Sequence, residues 1–264
     1  MNRLYWWWRR AREPRSFRDY FDREVYHLLS ASPVLFPRPS DWPPNQQVTG
    51  YCALSREREV VEWEAPEELG DFMEAGDPPV YVGFGSYPFF TGPQGETMLR
   101  MICSTLGSAG KRAVVCTGFS RIEPGFQVPG DVFLIDQAPH EWLLPRCEYA
   151  LHHGGGGTTY ACLAAGIPMV AYPYQTDQFF WTRRIGELGI GPGYRYAINQ
   201  MSAESLADGI RDMTGREVFE RATLLGKRTR EEPDGAGVQA DAIEDILSHA
   251  REGGRPTEWA PPWE

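Results

Sequence analysis

From Pro79 onward the chain sets short, unbroken apolar runs between longer amphipathic stretches, and this alternation constrains the fold more than any other feature. Val80-Tyr81-Val82-Gly83-Phe84, Ala113-Val114-Val115-Cys116, Val132-Phe133-Leu134-Ile135, Tyr149-Ala150-Leu151 and Met169-Val170-Ala171-Tyr172 read as strands, and roughly 96–109, 158–166 and 177–189 read as helices. A strand that is apolar at consecutive positions must be covered on both faces, and helices between such strands supply the cover. The expectation is an α/β fold, a Rossmann-like doubly wound parallel sheet spanning about 77–230. Helices follow over 202–250, where Ser202 stands three residues before Ser205 as a capped start.

Upstream, residues 32–50 hold five prolines and read as an extended crossing segment. A short arginine-rich helical region precedes it, 55–75 is acidic and weakly periodic, and the tail from Gly253 reads as loose. No stretch approaches the roughly 18 consecutive apolar residues of a spanning helix. The net charge of −10 argues against general nucleic-acid binding. Residues 1–23, with seven arginines against three acids, run against that balance. Within them Trp6-Trp7-Trp8 reads as a packed helix face, with a partner-chain docking surface and a peripheral membrane anchor as alternatives. Five cysteines without a C-x-x-C pair indicate neither a disulfide framework nor a cysteine zinc site, and fit a cytoplasmic chain.

The segment that carries chemistry is Leu151-His152-His153-Gly154-Gly155-Gly156-Gly157-Thr158-Thr159, between a strand and a helix. Glycines let a backbone approach an anion closely, and the helix that follows offers unpaired N–H groups at its positive end. Thr158 and Thr159 add hydroxyl donors and His153 a further hydrogen bond. A plain flexible loop competes with this reading. So does a histidine metal site, although neighbouring strand residues face opposite ways. His152 itself reads as a packed core residue. No lysine follows the glycines as in a triphosphatase loop, and no strict G-x-G-x-x-G is present. Beyond the next strand, Asp177 and Gln178 supply a carboxylate and an amide suited to sugar hydroxyls, with helix capping by Asp177 as the plainer alternative. Ser86, in the turn Gly83-Phe84-Gly85-Ser86, could meet a phosphate, and the loop Asp136–Leu143 could hold a base.

The block from Gln137 to Gly191, QAPHEWLLPRCEYALHHGGGGTTYACLAAGIPMVAYPYQTDQFFWTRRIGELGIG, resembles the donor-binding signature of UDP-glycosyltransferases with the GT-B fold. Within that family it is most similar to sterol glucosyltransferases and to bacterial enzymes acting on natural-product aglycones. PVLFPRPSDWPPNQQVTGY, PPVYVGFGS and the stretch Arg221–Leu247 extend the resemblance to about 30–248. It implies that Gln137 and Ala138 face the uracil ring and that His140 lies at the nucleotide. It further implies that His153, Gly156, Gly157 and Thr158 hold the diphosphate with Ser86 nearby, and that Asp177 and Gln178 bind the hexose. The chain departs from the plant members at Gln137, where they have a base-stacking tryptophan, and at Ala161, where they have a ribose-binding glutamate. Gly156 stands where another small residue is usual.

On this reading 1–54 is a remnant of an acceptor domain with the interdomain crossing, 55–250 the donor domain and 251–264 a tail. The acceptor-activating base belongs to a domain with no counterpart here, and His27 is not expected to replace it. The expected function is transfer of a hexose, glucose foremost, from a UDP-sugar to a hydroxyl of a lipophilic acceptor. The mechanism is inverting, without metal or other cofactor, and this chain supplies the donor site. A non-catalytic nucleotide-sugar-binding module, or an inactive remnant needing a partner, is the other class.

Overall fold

The computed structural model describes residues 25–53 and 63–251, the side chains of 249–251 excepted. The Trp6-Trp7-Trp8 run, the arginine-rich segment and the tail beyond Arg251 lie outside the described residues. The described residues of Met1–Ala53 and Glu232–Glu264 form one compact unit, and those of Leu54–Glu231 form another.

In the first unit, β1 (His27–Leu29) pairs in parallel with β2 (Gln46–Val48), His27 opposite Gln46 and Leu29 opposite Val48. The arginine-rich region expected to be helical lies outside the described residues, and between it and the crossing the chain is extended as β1. His-Leu-Leu finds an extended partner once the proline-rich segment turns the chain back beside it. Helix α8 (Gly235–Arg251) completes this unit, and the Gln239 amide donates to Thr49 Oγ1 at 2.8 Å. Glu232 Oε1 accepts from the Ser32 hydroxyl at 2.7 Å and from the Val34 N–H at 3.3 Å. Burial pushes its carboxyl above the ordinary range, and those two bonds partly offset the shift.

The second unit is the expected doubly wound sheet. Its elements are α1 (Glu67–Glu74), β3 (Val80–Gly83), α2 (Gly92–Ser108), β4 (Ala113–Cys116), β5 (Val132–Ile135), α3 (His140–Leu143), β6 (Ala150–His152), α4 (Gly156–Ala165), β7 (Met169–Ala171), α5 (Thr176–Glu187), α6 (Ala203–Asp212) and α7 (Arg216–Arg230). Every strand pair is parallel, in the order β5-β4-β3-β6-β7. Val80, Val82, Val115 and Leu151 are sealed beneath Leu99, Ile102 and Leu106 of α2 and Leu206 and Ile210 of α6. The residues that alternate with them, Tyr81, Val114 and Ala150, are buried as well, and for that reason the strands show no polar alternation. The Ser202 cap forms as expected: its Oγ accepts the Ser205 N–H at 3.1 Å while Ser205 Oγ accepts the Ser202 N–H at 2.9 Å. Among the described residues no helix is long and apolar enough to cross a membrane.

The strand order positions the site. After β3 the chain winds outward through β4 and β5, then returns to lay β6 against the other side of β3. Gly83 thereby comes opposite His152. The carboxyl ends of β3 and β6 lie at the point where the winding reverses, the place where open α/β sheets leave a crevice for ligands.

Candidate functional site

A cleft of about 460 Å³ opens beyond the carboxyl ends of β3, β4 and β5, and Ser86, Gln137, Ala138 and His140 are all on its wall, with Tyr81, Cys116 and Phe119. A second cavity of about 570 Å³ is lined by residues such as Leu188, Gly191, Asp212 and Arg221. It lies by the opposite end of β7, where the Met169 N–H bonds the Ile190 carbonyl, and it holds none of the candidate residues. Location at the carboxyl edge of the sheet favours the smaller cleft.

Tyr81 organises the floor of this cleft. Its hydroxyl and His140 Nε2 share a hydrogen bond at 3.1 Å, and the two rings meet edge to face with centroids 5.6 Å apart. The phenol reaches that position by lying over Gly83, where a Cβ would stand 2.3 Å from the hydroxyl oxygen. Only a residue without a side chain leaves it room. Burial raises the Tyr81 phenol well above its ordinary value and pushes the Cys116 thiol up to about 12, so both stay protonated at neutral pH.

The glycine loop borders the cleft. Gly154 adopts φ +79°, and Gly155 is the N-cap of α4, which begins at Gly156. The half-buried His153 ring wedges between the loops. A Cβ on Gly85 would lie 3.0 Å from its Cε1, and one on Gly155 only 2.4 Å from its Nε2. Burial lowers the His153 pKa; the Gly83 backbone and the Asp177 carboxylate pull it upward, yet Nδ1 is buried without a well-formed hydrogen bond. Thr159, read from the sequence as a second hydroxyl donor, is buried and donates to the Gly155 carbonyl at 2.9 Å. Thr158, in the first turn of α4, is half-buried. First-turn amides, a histidine and a hydroxyl are the kinds of donor with which helix starts meet anions.

Asp177 and Gln178 are not on the cleft wall; they open α5, beyond β7. The capping of that helix differs from the Asp177 alternative. Gln175 is the N-cap, and Gln178 Oε1 accepts the N–H groups of Tyr174 at 2.9 Å and Gln175 at 3.3 Å. Gln178 is buried and Asp177 exposed. Trp181, which no sequence signal singled out, ties this pair to the glycine loop. Its indole N–H donates to Asp177 Oδ2 at 3.0 Å, and the same nitrogen would be 3.0 Å from a Cβ on Gly156. Its spacing of four from Asp177, one helical turn, was the signal available. Thr176, between β7 and this helix turn, has φ +30°, an uncommon conformation for a β-branched residue.

The acid–base character of this edge is uniform. Burial lowers the pKa values of His140, His152 and His153, that of His152 furthest. A histidine held below its unfolded value of about 6.5 favours folding in its neutral form. The stability it contributes is complete above that pH and is lost as pH falls toward the folded value. The urea midpoint should thus hold steady between about pH 8 and 7 and decline as pH drops through 6.5 and below. A midpoint that rises on acidification from pH 7 to 5.5 contradicts burial of three neutral imidazoles.

A parallel sheet of this order, with its crevice between the returning strands, is consistent with the C-terminal half of the GT-B fold, and solved structures share it. The crystallised glycosyltransferase of kitacinnamycin superposes with a TM-score of 0.65 at 21% identity, over 83% of this chain and 54% of that one. The calicheamicin glycosyltransferase CalG4 does so with a TM-score of 0.65 at 19% identity, over 88% and 54%. Residues 106–244 match the family described as Erythromycin biosynthesis protein CIII-like, C-terminal domain, and the chain belongs to that family. Among curated relatives, the sterol 3-beta-glucosyltransferase UGT80B1 of Arabidopsis thaliana is 40% identical over 234 residues, 87% of this chain. UGT80A2 of the same plant is 37% identical over 215 residues, 81% of this chain. The chain spans 37% and 32% of the lengths of these two relatives.

Proposed function

We propose that this chain binds a UDP-sugar and stabilises the departing UDP during transfer of a hexose, glucose foremost, to the hydroxyl of a lipophilic acceptor such as a sterol, in the cytoplasm. The observation that carries the reading is the junction of the cleft beyond β3–β5 with the start of α4, made by the His153 ring resting on Gly85 and Gly155. In this reading Gln137 and Ala138 face the base and His140 the nucleoside. Ser86, His153, Gly156, Gly157 and Thr158 hold the phosphoryl oxygens, while Asp177 and Gln178 meet the sugar. The likeness to the two plant sterol glucosyltransferases supports the choice of sugar and acceptor.

The chemistry is leaving-group stabilisation. As the anomeric carbon–oxygen bond breaks with inversion, charge grows on the diphosphate. The α4 amides, the Thr158 hydroxyl and His153 are fixed where that charge appears, and they need little rearrangement to meet it. The same dianion favours the protonated form of His153, strengthening its bond as charge develops. Nothing in this scheme calls on a metal ion.

The test is calorimetric titration of the 264-residue chain with UDP in the presence of a chelator, followed by assay of UDP-glucose with a sterol acceptor. Binding at micromolar or weaker affinity without metal is the expected result. Absence of heat with any nucleotide overturns the proposed donor site. Binding without transfer assigns the chain to donor recognition alone, the non-catalytic alternative.

A further inference from the structure

His152 closes β6 with none of its surface exposed. Its Nδ1 accepts the Gly154 N–H at 3.0 Å. A ring nitrogen that accepts a hydrogen bond carries no proton, so the neutral imidazole must hold its proton on Nε2. Nε2 is buried without a hydrogen-bond partner. A buried, unpaired N–H is unfavourable. Core packing alone is therefore a poor reason for an imidazole here.

What the imidazole does, and a leucine could not, is receive the Gly154 amide. Gly154 is the left-handed residue at which the chain leaves the strand, φ +79°, and a Cβ there would meet Thr182 Oγ1 at 2.5 Å. The turn is therefore closely confined on its α5 side and bonded on its β6 side. The His153 ring stands perpendicular to that of His152, interplanar angle 89° with centroids 6.1 Å apart. The orientation of one ring thus limits that of the other.

We propose that His152 is a positioning residue for the anion-binding loop: its Nδ1, by accepting the Gly154 amide, holds the left-handed turn that aims His153 and the first-turn amides of α4 at a diphosphate. The neutral form required is the one its surroundings favour. Burial opposes protonation, and the neighbouring His153 and His140 oppose it further. The part concerning diphosphate rests on the function proposed above; the tautomer and the Gly154 bond do not.

Four measurements on the full chain decide it. Ring ¹⁵N spectra near neutral pH should show His152 with an unprotonated Nδ1 and a protonated Nε2. In His152→Leu, the Gly154 amide should exchange with solvent at least ten-fold faster. UDP affinity should drop ten-fold or more, while the thermal midpoint changes little, because the unpaired imidazole N–H is exchanged for an unpaired Gly154 N–H. His152→Asn, whose side-chain oxygen can take the place of Nδ1, should recover most of the Gly154 protection and of the affinity. An Nδ1-protonated ring, or undiminished Gly154 protection in His152→Leu, overturns the proposal. Should the wild-type chain bind no UDP, the function reading fails, while the ring spectrum and the Gly154 exchange still decide whether His152 holds the turn. Should His152→Leu not fold, the ring spectrum and His152→Asn decide.

Discussion

Replacing His153 by alanine should weaken UDP binding about ten- to a hundred-fold, the equivalent of one lost hydrogen bond to a charged group at roughly 1.5–3 kcal/mol. Two observations make the expectation this large. The ring sits against both Gly85 and Gly155, so no other side chain can take its place without the loops moving. The Gly83 backbone and the Asp177 carboxylate already act against burial in favour of a protonated ring, so an arriving phosphoryl oxygen adds to an existing pull. The free protein keeps the ring neutral through burial, and a bound dianion reverses that preference, so binding near neutral pH should also take up a proton. Titrations of wild type and His153→Ala in two buffers of different ionisation heat test both statements. An unchanged Kd would remove His153 from the proposed donor site.

Gly226→Ala should destabilise the protein by on the order of 2–3 kcal/mol, although it replaces the poorest common helix former with the best. Gly226 lies inside α7, and intrinsic propensity alone would give alanine an advantage of about 1 kcal/mol. Tertiary contact reverses the sign. A Cβ at this position would stand 2.5 Å from the Leu163 carbonyl oxygen and 2.6 Å from the Gly166 Cα, both backbone atoms that cannot rotate aside. To accept it α7 must withdraw from α4, loosening the buried Ala222 and Leu225. Because α4 carries the glycine loop, UDP affinity should fall together with the urea midpoint. A variant as stable as wild type would mean that the two helices do not meet backbone to backbone.

The sheet is legible in the sequence because each strand is a short-range signal. The runs at 80–84, 113–116, 132–135, 149–151 and 169–172 meet the observed strands to within a residue at each end. The helices expected at 96–109, 158–166 and 177–189 begin earlier, at Gly92, Gly156 and Thr176. Glycine and proline in the first turns of α2 and α4 hide those two starts from propensity. Helix α1 escapes the periodicity, since Glu67–Glu74 buries only Leu69. Strand β1 is hidden for another reason: its partner, β2, lies at the far end of the proline-rich crossing.

At the site, the carboxyl-edge location of the loops that carry Ser86, Gln137, Ala138, His140 and His153 is legible. The uses of several polar groups are not. The Thr159 hydroxyl goes to Gly155, the Gln178 carbonyl to the start of α5, and the His152 ring to Gly154. Each of these bonds depends on side-chain direction, which a residue's type does not reveal.

Taken alone, the amino-acid order determined which segments extend, which coil, and which loop is rich enough in glycine to approach an anion. These are properties of neighbouring residues, governed by backbone sterics and apolar periodicity. Tertiary structure alone decided that β6 returns to β3, setting Gly83 opposite His152 and bringing the His153 ring onto Gly85. Strand pairing joins residues far apart in the chain, and its free energy comes from a shared core that no local stretch contains.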